Sequence, residues 1–152
     1  MQLALFEPDI PQNTGTLLRT AACLRVPLHI IEPAGFDASD RALRRAGLDY
    51  IEHAQLLRHG NFPAFEQWRE ADGSRLLLLT TSAEQSYADF RFQTGDVLLL
   101  GRESAGVPGD VHAAAGARLR IPIARDTRSL NVAVAAAFVL GEGLRQTGGW
   151  PV

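Results

Sequence analysis

The stretch Val97-Leu98-Leu99-Leu100-Gly101-Arg102-Glu103-Ser104-Ala105-Gly106-Val107-Pro108 decides how the chain is read. Four apolar residues in a row, without alternation, describe a strand buried on both faces, as in a parallel sheet. The strand opens into a loop rich in glycine and charge. A second strand, Arg118 to Ile123, opens into Ala124-Arg125-Asp126-Thr127-Arg128-Ser129-Leu130-Asn131, and an almost wholly apolar helix follows from Val132 to Leu140. Two turn-rich loops are thus expected at the carboxyl ends of neighbouring strands, the edge where α/β sheets bind small ligands. The helix needs burial on nearly every side, by the fold or by a second copy of the chain.

Working outward, short apolar runs alternate with helical ones. Leu3 to Phe6 reads as the first strand, and Asn13 or Thr14 is expected to cap a helix to Leu24 with Leu17, Leu18, Ala21 and Ala22 inward. Leu28 to Ile31 is a strand, and Ser39 caps a short basic helix, Asp40 to Ala46, closed by Gly47. Tyr50 to Ala54 reads as a short strand, and Phe62 to Ala71 as a helix with Phe65 and Trp68 on one face. Leu76 to Leu79 is a strand, residues 83–94 are irregular, and a brief helix spans Asp110 to Ala115. The final helix runs to about Arg145 and stops at Gly148-Gly149. Apolar strands separated by helices predict an α/β fold, a parallel sheet flanked by helices. No repeat or linker divides residues 1–152, so one domain is expected.

Composition narrows the function classes. One cysteine, Cys23, forms no internal disulfide and reads as a small core residue. No basic leader opens the chain and no run of about 18 apolar residues occurs, so neither secretion nor a membrane span is expected, and the cytoplasm is the expected compartment. Lys+Arg number 15 against 17 Asp+Glu, so bulk attraction to nucleic acid is not evident. All the basic residues are arginines, whose rigid fork of donors matches phosphate. A local patch would have to bind RNA: Arg41, Arg44 and Arg45 are the densest cluster, Arg125 and Arg128 the next.

The usual nucleotide signatures are missing. A Walker loop needs a lysine, and the position of a dinucleotide fingerprint holds Glu7-Pro8-Asp9-Ile10-Pro11-Gln12-Asn13-Thr14-Gly15. His29, His53, His59 and His112 have no metal-like spacing, and no metal site is expected. Neither Ser104 nor Ser129 sits in a nucleophile pattern. What remains are backbone-rich loops after Leu79, Leu100 and Ile121, suited to an uncharged or cationic cofactor rather than a triphosphate.

Three motifs in order carry a family resemblance: Asn13-Thr14-Gly15 with Arg19, the Gly101–Pro108 loop, and Ile121-Pro122-Ile123 leading to Ser129-Leu130-Asn131. Together they resemble the SPOUT methyltransferases, and among them the bacterial tRNA (cytidine/uridine-34) 2′-O-methyltransferases. Phe6–Gly15, His29-Ile30-Ile31-Glu32-Pro33 and Arg44–Tyr50 extend the likeness over essentially the whole chain. The resemblance implies a C-terminal deep trefoil knot and S-adenosyl-L-methionine held in it by Leu79, Gly101, Ile121 and Ser129, with Thr80 and Leu130 close by. Glu103, Gly106 and Asn131 shape the same pocket. It also implies a homodimer packed through the knot, the anticodon stem-loop of leucine tRNA bound across both subunits, and methyl transfer to the ribose of nucleotide 34. Arg19, supported by Asn13, is the catalytic residue so implied.

Plain roles stand beside these. Arg19 on its own reads as a solvated helix residue, Glu103 as a brace for its turn, Ser129 and Asn131 as helix caps, and Arg125 and Arg128 as solvated. An arginine is a poor base, its pKa exceeding about 12, so Arg19 is expected to orient the hydroxyl and adjacent phosphate. A non-catalytic RNA-binding module and a dinucleotide oxidoreductase are the alternatives; the intact loops disfavour the first and the missing glycine fingerprint the second. Two departures from the family pattern are Val132-Ala133-Val134, where relatives carry a second polar pair, and Gly141, where a relative has tyrosine. A longer basic tail is also absent.

Overall fold

The computed structural model describes residues 1–45 and 49–152. Its strands are β1 (Gln2–Phe6), β2 (Leu28–Ile31), β3 (Leu56–His59), β4 (Leu76–Leu79), β5 (Gln85–Ser86), β6 (Val97–Leu100) and β7 (Ala117–Arg120). Its helices are α1 (Pro11–Leu24), α2 (Asp40–Arg45), α3 (Phe62–Asp72), α4 (Gly109–Ala114) and α5 (Val132–Thr147). The strands form one sheet in the order β3-β2-β1-β6-β4-β7-β5, with every pairing parallel. The strands at its centre, β6 and β4, are Val-Leu-Leu-Leu and Leu-Leu-Leu-Leu, as sequences buried on both faces must be.

Helices cover both faces. Leu3, Leu5, Leu28, Leu77 and Leu98 pack under α1 and α5 with Leu17, Leu18, Val139 and Leu140. Ala4, Phe6, Ile31, Leu78 and Leu99 pack on the other side with Phe65 of α3 and Val111 of α4. The helix ends follow local chemistry. In α3 the Asn61 side chain accepts the N–H of Ala64 at 2.8 Å, and Gly73 closes the helix at φ 73°. Gly148 closes α5 at φ 64°.

β6 follows β5 in the chain yet inserts between β1 and β4, and α5 returns to pack on α1. This arrangement is consistent with a trefoil-knotted C-terminal half. It also corrects one expectation: the strands bearing the two loops, β6 and β7, are not neighbours, because β4 lies between them. The loop after β4 therefore enters the same site.

Other expectations need correction. Residues 50–54 are not a strand; a 3-10 turn spans Asp49–Glu52, and the strand begins at Leu56. Ile51 packs into the core from within the turn, and β3, an edge strand, sends Arg58 out to Asp40 and buries His59 beside His29. Helix α1 starts at Pro11 with Ile10 as its N-cap residue and no side-chain cap, so neither Asn13 nor Thr14 caps it. Cys23 is exposed rather than in the core, since the buried face of α1 runs through Leu17, Leu18 and Ala21. A two-residue strand, β5, lies within the segment expected to be irregular. β7 ends at Arg120, short of Ile123. The Gly47 stop expected after the basic helix lies outside the described residues. Among the described residues no helix is long and apolar enough to cross a membrane.

Candidate active site

The carboxyl ends of β6, β4 and β7 lie side by side and open into a cavity of about 490 Å³. Leu79, Leu100, Ile121 and Ile123 give it an apolar floor, and Thr80, Thr81, Gly101 and Gly106 add main-chain and hydroxyl groups. Ser129, Leu130, Asn131, Val132 and Ala135, on the approach to α5 and its first turn, form one wall; Ile10 and Asn13 of the β1–α1 region face it. Arg102 and Glu103 complete the rim. All nine residues expected around the cofactor thus line one cavity, as does Asn13.

The loop after β6 is folded back on itself. Arg102 and Gly106 exchange main-chain hydrogen bonds at 3.0 and 2.8 Å, and Gly106 adopts φ 64°. Gly101 passes so close that a Cβ there would meet main-chain carbons of Gly106 at 2.9 Å. Any side chain at 101 would therefore force the Gly106 backbone, part of the cavity lining, to shift.

A chain of polar contacts binds three segments distant in sequence. The Asn131 side chain caps α5, its Oδ1 accepting the N–H groups of Ala133 at 2.9 Å and Val134 at 3.3 Å. Its Nδ2 donates to Asn13 Oδ1 at 2.9 Å, and Asn13 Nδ2 donates to Glu103 Oε1 at 3.3 Å. Glu103 Oε2 accepts the N–H of Asp9 at 3.0 Å. Glu103 thus braces the β1–α1 loop rather than only its own turn. Asp9 was not singled out in the sequence; its position in Pro8-Asp9-Ile10-Pro11, at the exit of a strand on the ligand-binding edge, was the available signal. Its carboxyl is held below the usual carboxylate range by hydrogen bonding with Glu103 and then with Ser104.

Arg19 is elsewhere. It is exposed on α1, outside the cavity lining, with its guanidinium 4.9 Å from the centre of the Tyr50 ring. Within one chain, therefore, the fold does not bring Arg19 to the residues it was expected to serve. Arg41, Arg44 and Arg45 are exposed on α2, with Arg44 3.4 Å from Glu52. Arg125 and Arg128 are exposed on the wall loop, where Thr127 N–H and hydroxyl both bond to Ala124 O. From the cavity rim an apolar stripe continues along α5: Leu130, Val134 and Phe138 are 39, 46 and 53 % exposed. Beyond it the Trp150 ring lies beside Gly141, 3.8 Å from where a Cβ would stand.

The cavity suits a small molecule with both apolar and hydrogen-bonding parts. Its size lies in the usual range for small-molecule sites, its floor is apolar, and main-chain groups of three strand ends face it.

Known proteins share this architecture. The SpoU rRNA Methylase family model matches residues 1–141. A tRNA (cytidine(34)-2'-O)-methyltransferase of Ancylobacter novellus is 57 % identical over 150 residues, covering 99 % of this chain and 95 % of that protein. A solved structure concerned with 2-OH methylation of C/U34 on tRNA superimposes with TM-score 0.86 at 45 % identity, covering 95 % of this chain and 94 % of the other. An AdoMet-bound rRNA methyltransferase from Sinorhizobium meliloti aligns with TM-score 0.84 at 29 % identity over 95 % of this chain and 55 % of its own. With a family model spanning nearly all of it and a relative matched from end to end, the chain belongs to the SpoU methylase family.

Proposed function

We propose that this chain transfers a methyl group from S-adenosyl-L-methionine to the 2′-hydroxyl of the wobble nucleotide, cytidine or modified uridine 34, of leucine tRNAs. The observation that carries the reading is the cavity at the ends of β6, β4 and β7, walled by the Asn131–Asn13–Glu103 chain. The relatives named for this activity and the AdoMet-bound structure support it. Residues 1–152 act as one methyltransferase unit, since the cavity draws on residues from Ile10 to Ala135.

Leu79, Gly101, Ile121 and Ser129 hold the donor, with Thr80, Glu103, Gly106, Leu130 and Asn131 around it. When bound, S-adenosyl-L-methionine supplies a sulfonium methyl group open to in-line attack by oxygen. The ribose oxygen–methyl bond forms, the sulfur–methyl bond breaks, and the hydroxyl proton leaves to solvent. Catalysis on the protein side is alignment of the hydroxyl and stabilisation of its developing charge. Asn13 faces the cavity for this. Arg19 does not, and its contact with the ribose and neighbouring phosphate is made across the interface of a homodimer. The stripe of Leu130, Val134 and Phe138 is the surface for that interface, because it starts at the cavity rim and is apolar. Arg41, Arg44, Arg45, Arg125 and Arg128 meet the phosphates of the anticodon stem-loop. The cytoplasm, where tRNA is found, is the compartment this reading requires.

The test is incubation of the purified protein and donor with bulk tRNA from a strain lacking the activity, followed by mapping of new 2′-O-methyl groups. A single new mark at nucleotide 34 is expected. Arg19→Ala is expected to lower the rate by about 10²-fold or more while leaving donor binding mostly intact. Full-rate transfer by that variant overturns the role given to Arg19.

A further inference from the structure

Asp9 lies outside the cavity lining, yet it clamps the loop that forms the rim. Its main-chain N–H donates to Glu103 Oε2 at 3.0 Å, and its own Oδ1 accepts the main-chain N–H of Glu103 at 3.2 Å. Its Oδ2 accepts the Ser104 hydroxyl. Asp9 and Glu103 thus satisfy each other's main-chain donors across 94 residues of sequence. The loop's own main-chain hydrogen bonds join Arg102 to Gly106 and Ala105 N–H to Arg102 O, while Glu103 and Ser104 at its tip are held from outside by Asp9.

Asp9 is itself seated from behind. The N–H of Gly35 donates to Pro8 O at 2.8 Å, and a Cβ on Gly35 would lie 2.8 Å from the Asp9 Cβ. The absence of a side chain at 35 is what lets Asp9 stand against Glu103. With Oε2 of Glu103 taken by the Asp9 N–H, Oε1 is turned to Asn13 Nδ2 at 3.3 Å. Asn13 then receives Asn131 Nδ2 at 2.9 Å. The charged groups around the pair are Arg102 and Glu7, which face each other at 3.4 Å.

We infer that Asp9 is a positioning residue for methyl transfer: it holds the Glu103 carboxylate against Asn13 and so fixes the two asparagine amides on the cavity wall. The inference rests on the function proposed above. It separates two properties of the site. The apolar floor belongs to strand ends that Asp9 does not touch, so donor affinity, to which Glu103 and Asn131 add only at the edge, depends on Asp9 far less than the rate does. Alignment of the incoming hydroxyl depends on the Asn13 amide, and a small misplacement there is costly in rate.

The experiment compares Asp9→Ala, Asp9→Asn and Gly35→Ala with the unchanged protein. Four readouts are taken: kcat on tRNA, donor Kd by calorimetry, Tm, and the Asn13 side-chain amide resonance in donor-free, ¹⁵N-labelled protein. Asp9→Ala is expected to lower kcat about tenfold, leave donor Kd within about twofold, and shift the Asn13 resonance. Asp9→Asn keeps an oxygen for the Glu103 N–H and restores most of the rate. Gly35→Ala displaces Asp9 from behind and reproduces the loss, which decides the matter should Asp9→Ala fail to fold. The double variant Asp9→Ala with Asn13→Ala is expected to be no slower than Asn13→Ala alone, because both changes interrupt one chain of contacts. Undiminished kcat in Asp9→Ala, parallel losses of kcat and donor affinity, or losses that multiply in the double variant each overturn the inference. If the unchanged protein transfers no methyl group, the proposed function falls and this inference with it; an active unchanged protein beside an equally active Asp9→Ala overturns the inference alone.

Discussion

Two residues set against each other inside the protein, His29 and His59, respond to acid. His29 is fully buried, and its Nδ1 lies 3.0 Å from His59 Nε2, with Gln2 Oε1 3.0 Å from its other nitrogen. Trp68 and Phe65 of α3 close over the pair. Burial first, and the His59 charge second, lower His29 to about 4, against a smaller opposing pull from Asp72; burial also lowers His59. A depressed folded-state pKa means the unfolded chain takes up protons first. The stability contributed by the neutral pair is therefore complete above the unfolded value near 6.5 and is lost as pH falls toward about 4. The loss from His29 is on the order of 3 kcal/mol. Urea unfolding at pH 7 and pH 4.5 checks this, and an unchanged midpoint counts against it. The pair was invisible in the sequence, where the two histidines stand 30 residues apart and only the β2–β3 register joins them. Gly101 was legible as a loop glycine, but its reason, the 2.9 Å approach to Gly106, required the folded loop. Gly101→Ala is expected to weaken donor binding at least tenfold by calorimetry, a test separate from any measurement of rate.

Among the elements, α5 shows what an apolar pattern can and cannot say. Its near-continuous hydrophobicity correctly demanded burial, and Ala133, Ala136, Val139, Leu140 and Leu144 are buried by the fold. Val134 and Phe138 are left facing outward, and a pattern apolar on every side cannot tell which positions the chain will cover itself. Phe138→Asp places a charge on the proposed homodimer surface and is expected to convert dimer to monomer in sedimentation experiments. A dimer that survives the change rejects this face. The Tyr50–Ala54 misreading has the opposite cause. Apolar residues close together fit a tight turn as well as a strand, and the real strand beside them is half polar because it lies at the sheet's edge.

At the scale of the molecule, the parallel sheet was readable because its strands are apolar throughout, whereas strand order was not. Nothing local to β4 says that it lies between β6 and β7, and that placement is what joins three loops into one cavity. Leu79, Gly101 and Ile121 were legible at the ends of apolar strands, and Ser129 and Asn131 through the family resemblance; Asp9 was not, because its partner is 94 residues away and only the pairing of β1 with β6 brings the two loops together. Charge is also a property of the whole. With a net charge of -2, attraction to RNA must come from patches such as the exposed arginines of α2. Affinity for an anticodon stem-loop is expected to fall steeply between about 50 and 200 mM salt. Replacing Arg41, Arg44 and Arg45 by alanine is expected to flatten that dependence by a slope of about 2, measured by fluorescence anisotropy. Salt-insensitive binding speaks against a phosphate-contacting role.

The cavity takes its floor from residues 79–123 and a wall from residues 129–135. A polypeptide in which residues 129–135 have not yet docked has half a receptacle and nothing to close it. Donor capture is thus tied to the seating of α5, whose first turn contributes Val132 and Ala135 to the enclosure.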